Sequence, residues 1–432
     1  METNQRILIL YAAETVSVGT VADHLYAFAE HSRYEVHYVH AVRGVRAALD
    51  LELFDAVFLH YSVRLVFPDY LSPEFASKLR SYTGPKILFI QDEYEDTDRA
   101  IDWIQKLDIQ TVFTCVPDEF IENVYPAKRL PGVRFISNLT GYVSEGLIRL
   151  DVPPIGERPV WVGYRGRALH PAYGRLGWEK RFIGEEFKRR ARGRIPIDIE
   201  TGEERRIYGA AWPRFIMSCR AVLATESGSN VFDFDGEIRR RIDERLKTNP
   251  DMSFAEIERL ELQGEEKRFA DMGQVSPRVF EAVSLKTALV AFPGRYSGVL
   301  EADRHYIPLA KDFSNFEDVL SRLADVDALA DMVENAHADI VRSSRFSYRK
   351  FIERVDSVLA ELLRPSEFKA SILQIDFIGA SLANPPTSLP LTVATLESIR
   401  REPMDLDSIT FAQALARIWR IVRNKLGRLM PF

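Results

Sequence analysis

The segment Ser276-Pro277-Arg278-Val279-Phe280-Glu281-Ala282-Val283-Ser284 carries a cation and a carboxylate three positions apart, which places both on one face of a helix. Proline suits the first helical position, where its missing N–H costs nothing, and Ser276 suits the cap before it. The free N–H groups and dipole of a helix start attract anions. A cation, a carboxylate and a helix start together supply what a nucleotide diphosphate and its ribose require.

Further cations stand earlier in the chain. Val162-Gly163-Tyr164-Arg165-Gly166-Arg167 puts two glycines and two arginines at the end of an apolar run. The glycines give backbone room beside a ligand, and paired guanidiniums fork onto diphosphate oxygens. Taken alone, arginines in such a turn are more often solvated. Lys180, on the basic stretch that follows, adds a third cation. Two loops after apolar runs are suited to ligand contact: Thr225-Glu226-Ser227-Gly228-Ser229-Asn230, and Pro293-Gly294-Arg295-Tyr296-Ser297-Gly298. Gly294 and Gly298 there let backbone amides approach a sugar. In the first half of the chain, His60 ends one apolar run and Gln91-Asp92-Glu93 ends another. His60, Asp92 and Glu93 are candidate general bases toward an acceptor hydroxyl, each with a structural hydrogen bond as the plainer role.

Metal and nucleophile motifs give little. Asp233-Phe234-Asp235 has a D-x-D form, but so have Asp96-Thr97-Asp98, Asp325-Val326-Asp327 and Asp405-Leu406-Asp407, so the pattern assigns no metal. The sequence has no G-x-S-x-G, H-E-x-x-H, C-x-x-C or P-loop, which removes several enzyme classes in their usual form. Cys115 and Cys219 are the only cysteines, too few for a disulfide scaffold and consistent with a reducing compartment. A net charge of -6 gives no nucleic-acid signature.

The elements that must position these residues alternate. Short apolar runs at 7–11, 35–39, 56–60, 86–90, 111–114 and 133–136 read as strands, with helical patterns around 20–30, 72–82, 97–107 and 117–124 between them. Pro153-Pro154 and Gly156 read as a linker. The alternation restarts with strands at 159–162, 195–199, 221–225, 288–291 and near Tyr306, and helices at about 176–192, 277–284, 315–324, 327–341 and 347–363. This predicts an α/β protein of two doubly wound, Rossmann-like parallel units facing across a cleft. The expected domains are 1–152 and 157–364, with a solvated helical insertion at 236–270 and an extension at 365–432. Its basic run around 409–429, with Trp419 and no acid, suits either an anionic bilayer or docking on the protein.

The pattern resembles bacterial glycosyltransferases of the GT-B fold, in the "group 1" class and nearest the surface-polysaccharide and spore-coat-type branch. The resemblance implies that Arg165 or Arg167 and Lys180 bind the donor diphosphate, that Glu281 binds the ribose hydroxyls, and that Gly294 to Gly298 lies near the donor sugar. It implies a nucleotide-sugar substrate, no cofactor, no catalytic metal and no nucleic-acid partner. The acceptor would be a glycan or a lipid-linked glycan, met in the cytoplasm or at the inner membrane face. One position departs: Gly273 stands where many of these enzymes carry a glutamate eight residues before the late one, and Glu226 is the candidate replacement. A GT-B binder that has lost catalysis and a nucleotide-sugar epimerase are the alternatives.

Overall fold

The computed structural model describes residues 5–16, 18–42, 49–67 and 70–363, all within one compact unit. The first six apolar runs form β1 (Arg6–Tyr11), β2 (Glu35–His40), β3 (Ala56–Leu59), β4 (Lys86–Ile90), β5 (Thr111–Thr114) and β6 (Arg134–Ser137). They make one parallel sheet in the order β2-β1-β3-β4-β5-β6. Every residue of β3, β4 and β5 is buried, because helices cover both faces of a parallel sheet. The pleat sorts β1 between two cores: Leu8 and Leu10 pack on one face, and Ile7, Ile9 and Tyr11 on the other, as a period of two requires.

The flanking helices follow the same logic. Helix Pro73–Ser81 starts on Ser72, whose hydroxyl accepts from the Phe75 amide at 3.2 Å. Helix Thr97–Leu107 buries Ala100, Ile101, Ile104 and Leu107, one stripe at helical spacing.

The second sheet contains β7 (Val160–Arg165), β8 (Ile197–Glu200), β9 (Cys219–Ala224), β10 (Ala288–Ala291) and β11 (Ile307–Pro308). It too is parallel, in the order β11-β10-β9-β7-β8. Gly163 lies mid-strand in β7, and a Cβ there would stand 2.3 Å from Cys219 Sγ. Its glycine therefore serves strand packing, not the ligand contact expected of it.

Two segments cross between the lobes. The helix Tyr348–Leu362 follows the second sheet in sequence but packs Tyr348, Phe351, Ile352, Val355, Val358 and Leu359 into the core of the first. At about 1.5–3 kcal/mol per fully buried large apolar side chain, that contact is on the order of 10 kcal/mol. Asp356 adds to it, accepting from Ser32 Oγ at 2.9 Å and Arg33 N at 2.8 Å. This helix thus belongs to the first lobe rather than to the span 157–364 expected for the second.

The second crossing is the charged insertion. Its faces are solvated, but Phe232, Phe269 and Met272 at its two ends lie in the first lobe's core. Ile238, Ile242, Ile257 and Leu262 form a small core of their own. Composition over 236–270 reports the wet face of a strap whose ends are pinned across the cleft. Residues 365–432, with the basic run 409–429, lie outside the described residues. No described helix is long and apolar enough to cross a membrane.

Candidate active site

The strand ends of both sheets meet at a cavity of about 200 Å³. Asp92, Glu93 and Cys115 come to it from the first lobe, and Ser227, Gly228 and Pro277 from the second. Ligands of open α/β sheets bind outside the carboxyl ends of the strands. The volume is below the usual 300–1,000 Å³ of a small-molecule pocket. Cross-cleft bonds hold the lobes together. Thr140 Oγ1 donates to the Val275 carbonyl and Gln274 Nε2 to the Cys115 carbonyl. Glu95 accepts from Tyr173 Oη and Arg239 Nη2, each at 2.6 Å, and, within its own lobe, from Arg64 Nη2 at 3.0 Å.

Beside this cavity the second lobe gathers charge. Lys180, on helix Gly174–Ala191, reaches Ser227 Oγ at 3.4 Å. Burial pushes its ammonium down to about 8; nearby Arg278 and Arg167 push the same way, and Asp92 of the first lobe opposes them. Arg278 stands in the first turn of helix Pro277–Ser284, donates to the Arg165 carbonyl and lies 5.2 Å from the Trp212 ring. Glu281 accepts from Trp212 Nε1 at 2.8 Å. Burial raises its pKa; Trp212 and Arg278 offset this, while Asp23 of the first lobe adds to it. Arg278 and Glu281 thus meet at Trp212, while Lys180 feels Arg278, Arg167 and Asp92 electrostatically and Glu281 feels Asp23.

Arg165 does not join them. Its guanidinium pairs with Asp198 at 2.9 Å, donates to the Asp198 carbonyl at 3.0 Å and stacks 4.3 Å over Phe215. Its side chain braces β7 against β8, and only its carbonyl turns to Arg278. Arg167, exposed, is the arginine left for a phosphate. Ser276 occupies the cap position, but its hydroxyl makes no capping bond.

Glu226 lies against Gly273, where a Cβ would stand 2.2 Å from its Cδ. It accepts from the Arg295 amide at 2.7 Å and the Tyr296 amide at 2.9 Å. Ser227 and Gln274 exchange backbone bonds, which draws the loop after β9 alongside the residues before the Pro277 helix. Gly294 leaves room for it, since a Cβ there would stand 2.4 Å from Glu226 Cδ. Tyr296 gives only its amide: its ring is fully buried and its hydroxyl donates to the Phe292 carbonyl at 2.6 Å. Gly298, at φ 71°, makes a left-handed turn that suits glycine.

The first-lobe candidates separate. Asp92 is exposed at the cavity, in a left-handed conformation with φ 54°, and accepts from Tyr94 Oη at 2.5 Å. Glu93 is only 3% exposed. It accepts from Thr114 Oγ1 at 2.5 Å, from the Cys115 amide at 2.7 Å and from Tyr125 Oη. Burial carries its pKa up to about 7 against those bonds. His60 has no exposed surface. Its nitrogens are taken by Ser62 Oγ at 2.8 Å and His24 Nδ1 at 3.0 Å, and burial holds its pKa well below the usual value. It is an interior neutral imidazole, not a cleft base.

The D-x-D motif is a helix cap. Asp233 accepts from the Ile238 and Arg239 amides at 3.1 and 2.9 Å, and Asp235 from the Glu237 amide at 3.1 Å. Sequence reasoning missed Trp212, Asp23 and Glu179. Glu179 is buried, paired with Lys311 at 2.7 Å and electrostatically coupled to Glu226. None carries a motif; only the fold brings them in.

Fold and site together define a two-lobed α/β protein of GT-B architecture. No family model and no curated protein matches the sequence. Among solved structures, it is similar to Anabaena HepE in complex with UDP and glucose, at 10% identity and a TM-score of 0.47 over 83% of this chain and 100% of that one. An alpha-glucosyltransferase in complex with UDP and a 13-mer DNA containing a HMU base aligns at 10% identity and a TM-score of 0.46, over 82% of this chain and 99% of that one. TarM aligns at 11% identity and a TM-score of 0.39 over 70% of this chain, which spans only 54% of TarM. These are likenesses of architecture at low identity.

Proposed function

We propose that the protein is a glycosyltransferase that moves a sugar from a nucleotide-activated donor to a glycan acceptor. The observation that carries this is Arg278 and Glu281 meeting at Trp212, with Lys180 on Ser227 at the edge of the inter-lobe cavity. In the proposed reaction the bond from anomeric carbon to phosphate oxygen breaks and the electron pair leaves with the nucleoside diphosphate. The cations stabilise that charge where it develops. The acceptor oxygen forms the new bond to the anomeric carbon and gives its proton to Asp92. Glu281 takes the ribose hydroxyls, and Glu226, with the amides around it, takes the sugar. Closure of the cleft around the donor excludes water and limits its hydrolysis.

A cell-surface glycan as acceptor, and contact with an anionic bilayer through 409–429, extend the proposal from the resemblance. The test is a thermal-shift panel of UDP-, GDP-, ADP- and CMP-sugars followed by turnover with acceptor glycans. Binding to the native state raises apparent stability. We expect one donor to stabilise the protein, Glu281→Ala to remove the shift, and free nucleotide to appear only with acceptor. A shift without turnover under any acceptor would make it a binder. Conversion of donor to another sugar nucleotide without acceptor would make it an epimerase.

A further inference from the structure

A second cavity, about 440 Å³, lies outside the site described above. Its walls come from both lobes: Leu65, Phe67, Leu71 and helix Thr97–Leu107 on one side, Phe234 and Asp235 of the strap on the other. Phe67, Trp103 and Phe234, all half-buried, line it together with aspartates that include Asp96, Asp102 and Asp235. The capping role of Asp233 and Asp235 turns the residue between them, Phe234, toward this groove.

We propose that this groove is a subsite for a neutral oligosaccharide, the part of the acceptor away from the reacting hydroxyl; the assignment rests on the glycosyl-transfer reading. Aromatic rings bury the C–H faces of a pyranose, and carboxylates accept its hydroxyls in charge-assisted hydrogen bonds. The volume falls in the range of small-ligand sites. Four aspartates and two basic side chains line it, and Arg129 pairs with Asp98 and with Asp102, a near balance that leaves no surplus cation for phosphate or uronic acids and so suits an uncharged glycan. The groove is also placed to receive one. Asp96 follows Asp92 by four residues, at most about 14 Å of chain, and the segment between them runs from the inter-lobe cavity to the groove. An acceptor with its terminal hydroxyl at Asp92 extends along that segment.

The test uses saturation-transfer NMR on the full chain with maltotriose, cellotriose and α-1,6-mannotriose as probes and trigalacturonic acid as the anionic control. We expect transfer to at least one neutral trisaccharide and much weaker transfer to trigalacturonate. Trp103→Ala should cut the neutral signal about five-fold, the loss of one aromatic contact. Asp102→Arg, at an exposed position on the same helix, should do the same without touching the core. In both variants the thermal shift given by the nucleotide sugar should persist. No transfer to any neutral trisaccharide, equal transfer to trigalacturonate, or wild-type transfer in Asp102→Arg would overturn the assignment. Transfer that depends on Trp103 in a protein that binds no nucleotide sugar would keep the groove and refute the donor site.

Discussion

The carboxyl group of Glu226 fills the space that a side chain on Gly273 would enter: a Cβ built there stands 2.2 Å from Glu226 Cδ. The two positions are 47 apart in sequence yet present one carboxylate to one place. The resemblance expects a glutamate at 273; Glu226, in the loop after β9, is tied down beside that position by the Arg295 and Tyr296 amides.

That relationship makes a transplant testable. Glu226→Ala should lower kcat/KM about 100-fold, the loss of charge-assisted hydrogen bonds of roughly 1.5–3 kcal/mol, while binding of the bare nucleoside diphosphate stays unchanged. Gly273→Glu alone should clash and destabilise. The double variant Glu226→Ala with Gly273→Glu should regain part of the lost kcat/KM, because the new side chain enters the vacated space. Steady-state kinetics on the three variants decides it; no recovery in the double variant argues against equivalence of the two positions.

Lys180 sets a pH limit on donor binding. Its folded pKa, about 8, lies below the usual lysine value, and a diphosphate favours the charged form. Affinity for the nucleoside diphosphate should therefore fall as pH rises above about 8, by up to tenfold per unit, with proton uptake on binding at pH 8–9. Calorimetry in buffers of different ionisation enthalpy measures the uptake. Lys180→Arg, charged throughout, should bind without the pH dependence.

Trp212 holds Glu281 by a 2.8 Å hydrogen bond, and in the proposed donor site it positions Glu281 for the ribose. Trp212→Phe keeps the aromatic bulk beside Arg278 and removes the N–H. It should raise the donor KM with little change in kcat and shrink the preference for ribonucleotide over 2′-deoxyribonucleotide donors about tenfold, a loss of roughly 1.4 kcal/mol. An unchanged ribose preference would show that Glu281 needs no support from the indole.

Glu93 shapes the acid side of stability. Its folded pKa, about 7, is above the ordinary carboxylate value of 4.5. The folded protein thus holds a proton that the unfolded chain releases between those pH values. The resulting stability is present below about pH 4.5 and is lost as pH rises through 7. The loss amounts to about 3 kcal/mol. Urea unfolding of Glu93→Gln against wild type should show the stability difference shifting toward the variant from pH 4.5 to 7.5 and then levelling. A constant difference would mean that Glu93 is ionised throughout.

Much of the fold was legible because its signals are local. Thr111–Thr114, Ala288–Ala291 and Pro277–Ser284 were readable from apolar runs and from Pro at a helix start, since period and caps act over a few neighbours. Arg278 and Glu281 were legible for the same reason: their helical spacing fixes a shared face. The helices of the strap and the last helix were legible too, but their packing across the lobes was not, because burial there depends on partners far along the chain. His60 and Arg165 failed likewise. A strand end says where a side chain begins; His24, Ser62, Asp198 and Phe215 decide where it ends.

By itself the sequence determined two parallel α/β units and the residue types able to hold a diphosphate, because backbone period and helix capping are short-range effects. Tertiary structure alone decided that Arg165 pairs with Asp198, that Glu226 packs against Gly273, and that the charged strap ties the lobes together. Those outcomes depend on packing between residues tens to hundreds of positions apart, where excluded volume and burial outweigh any local preference.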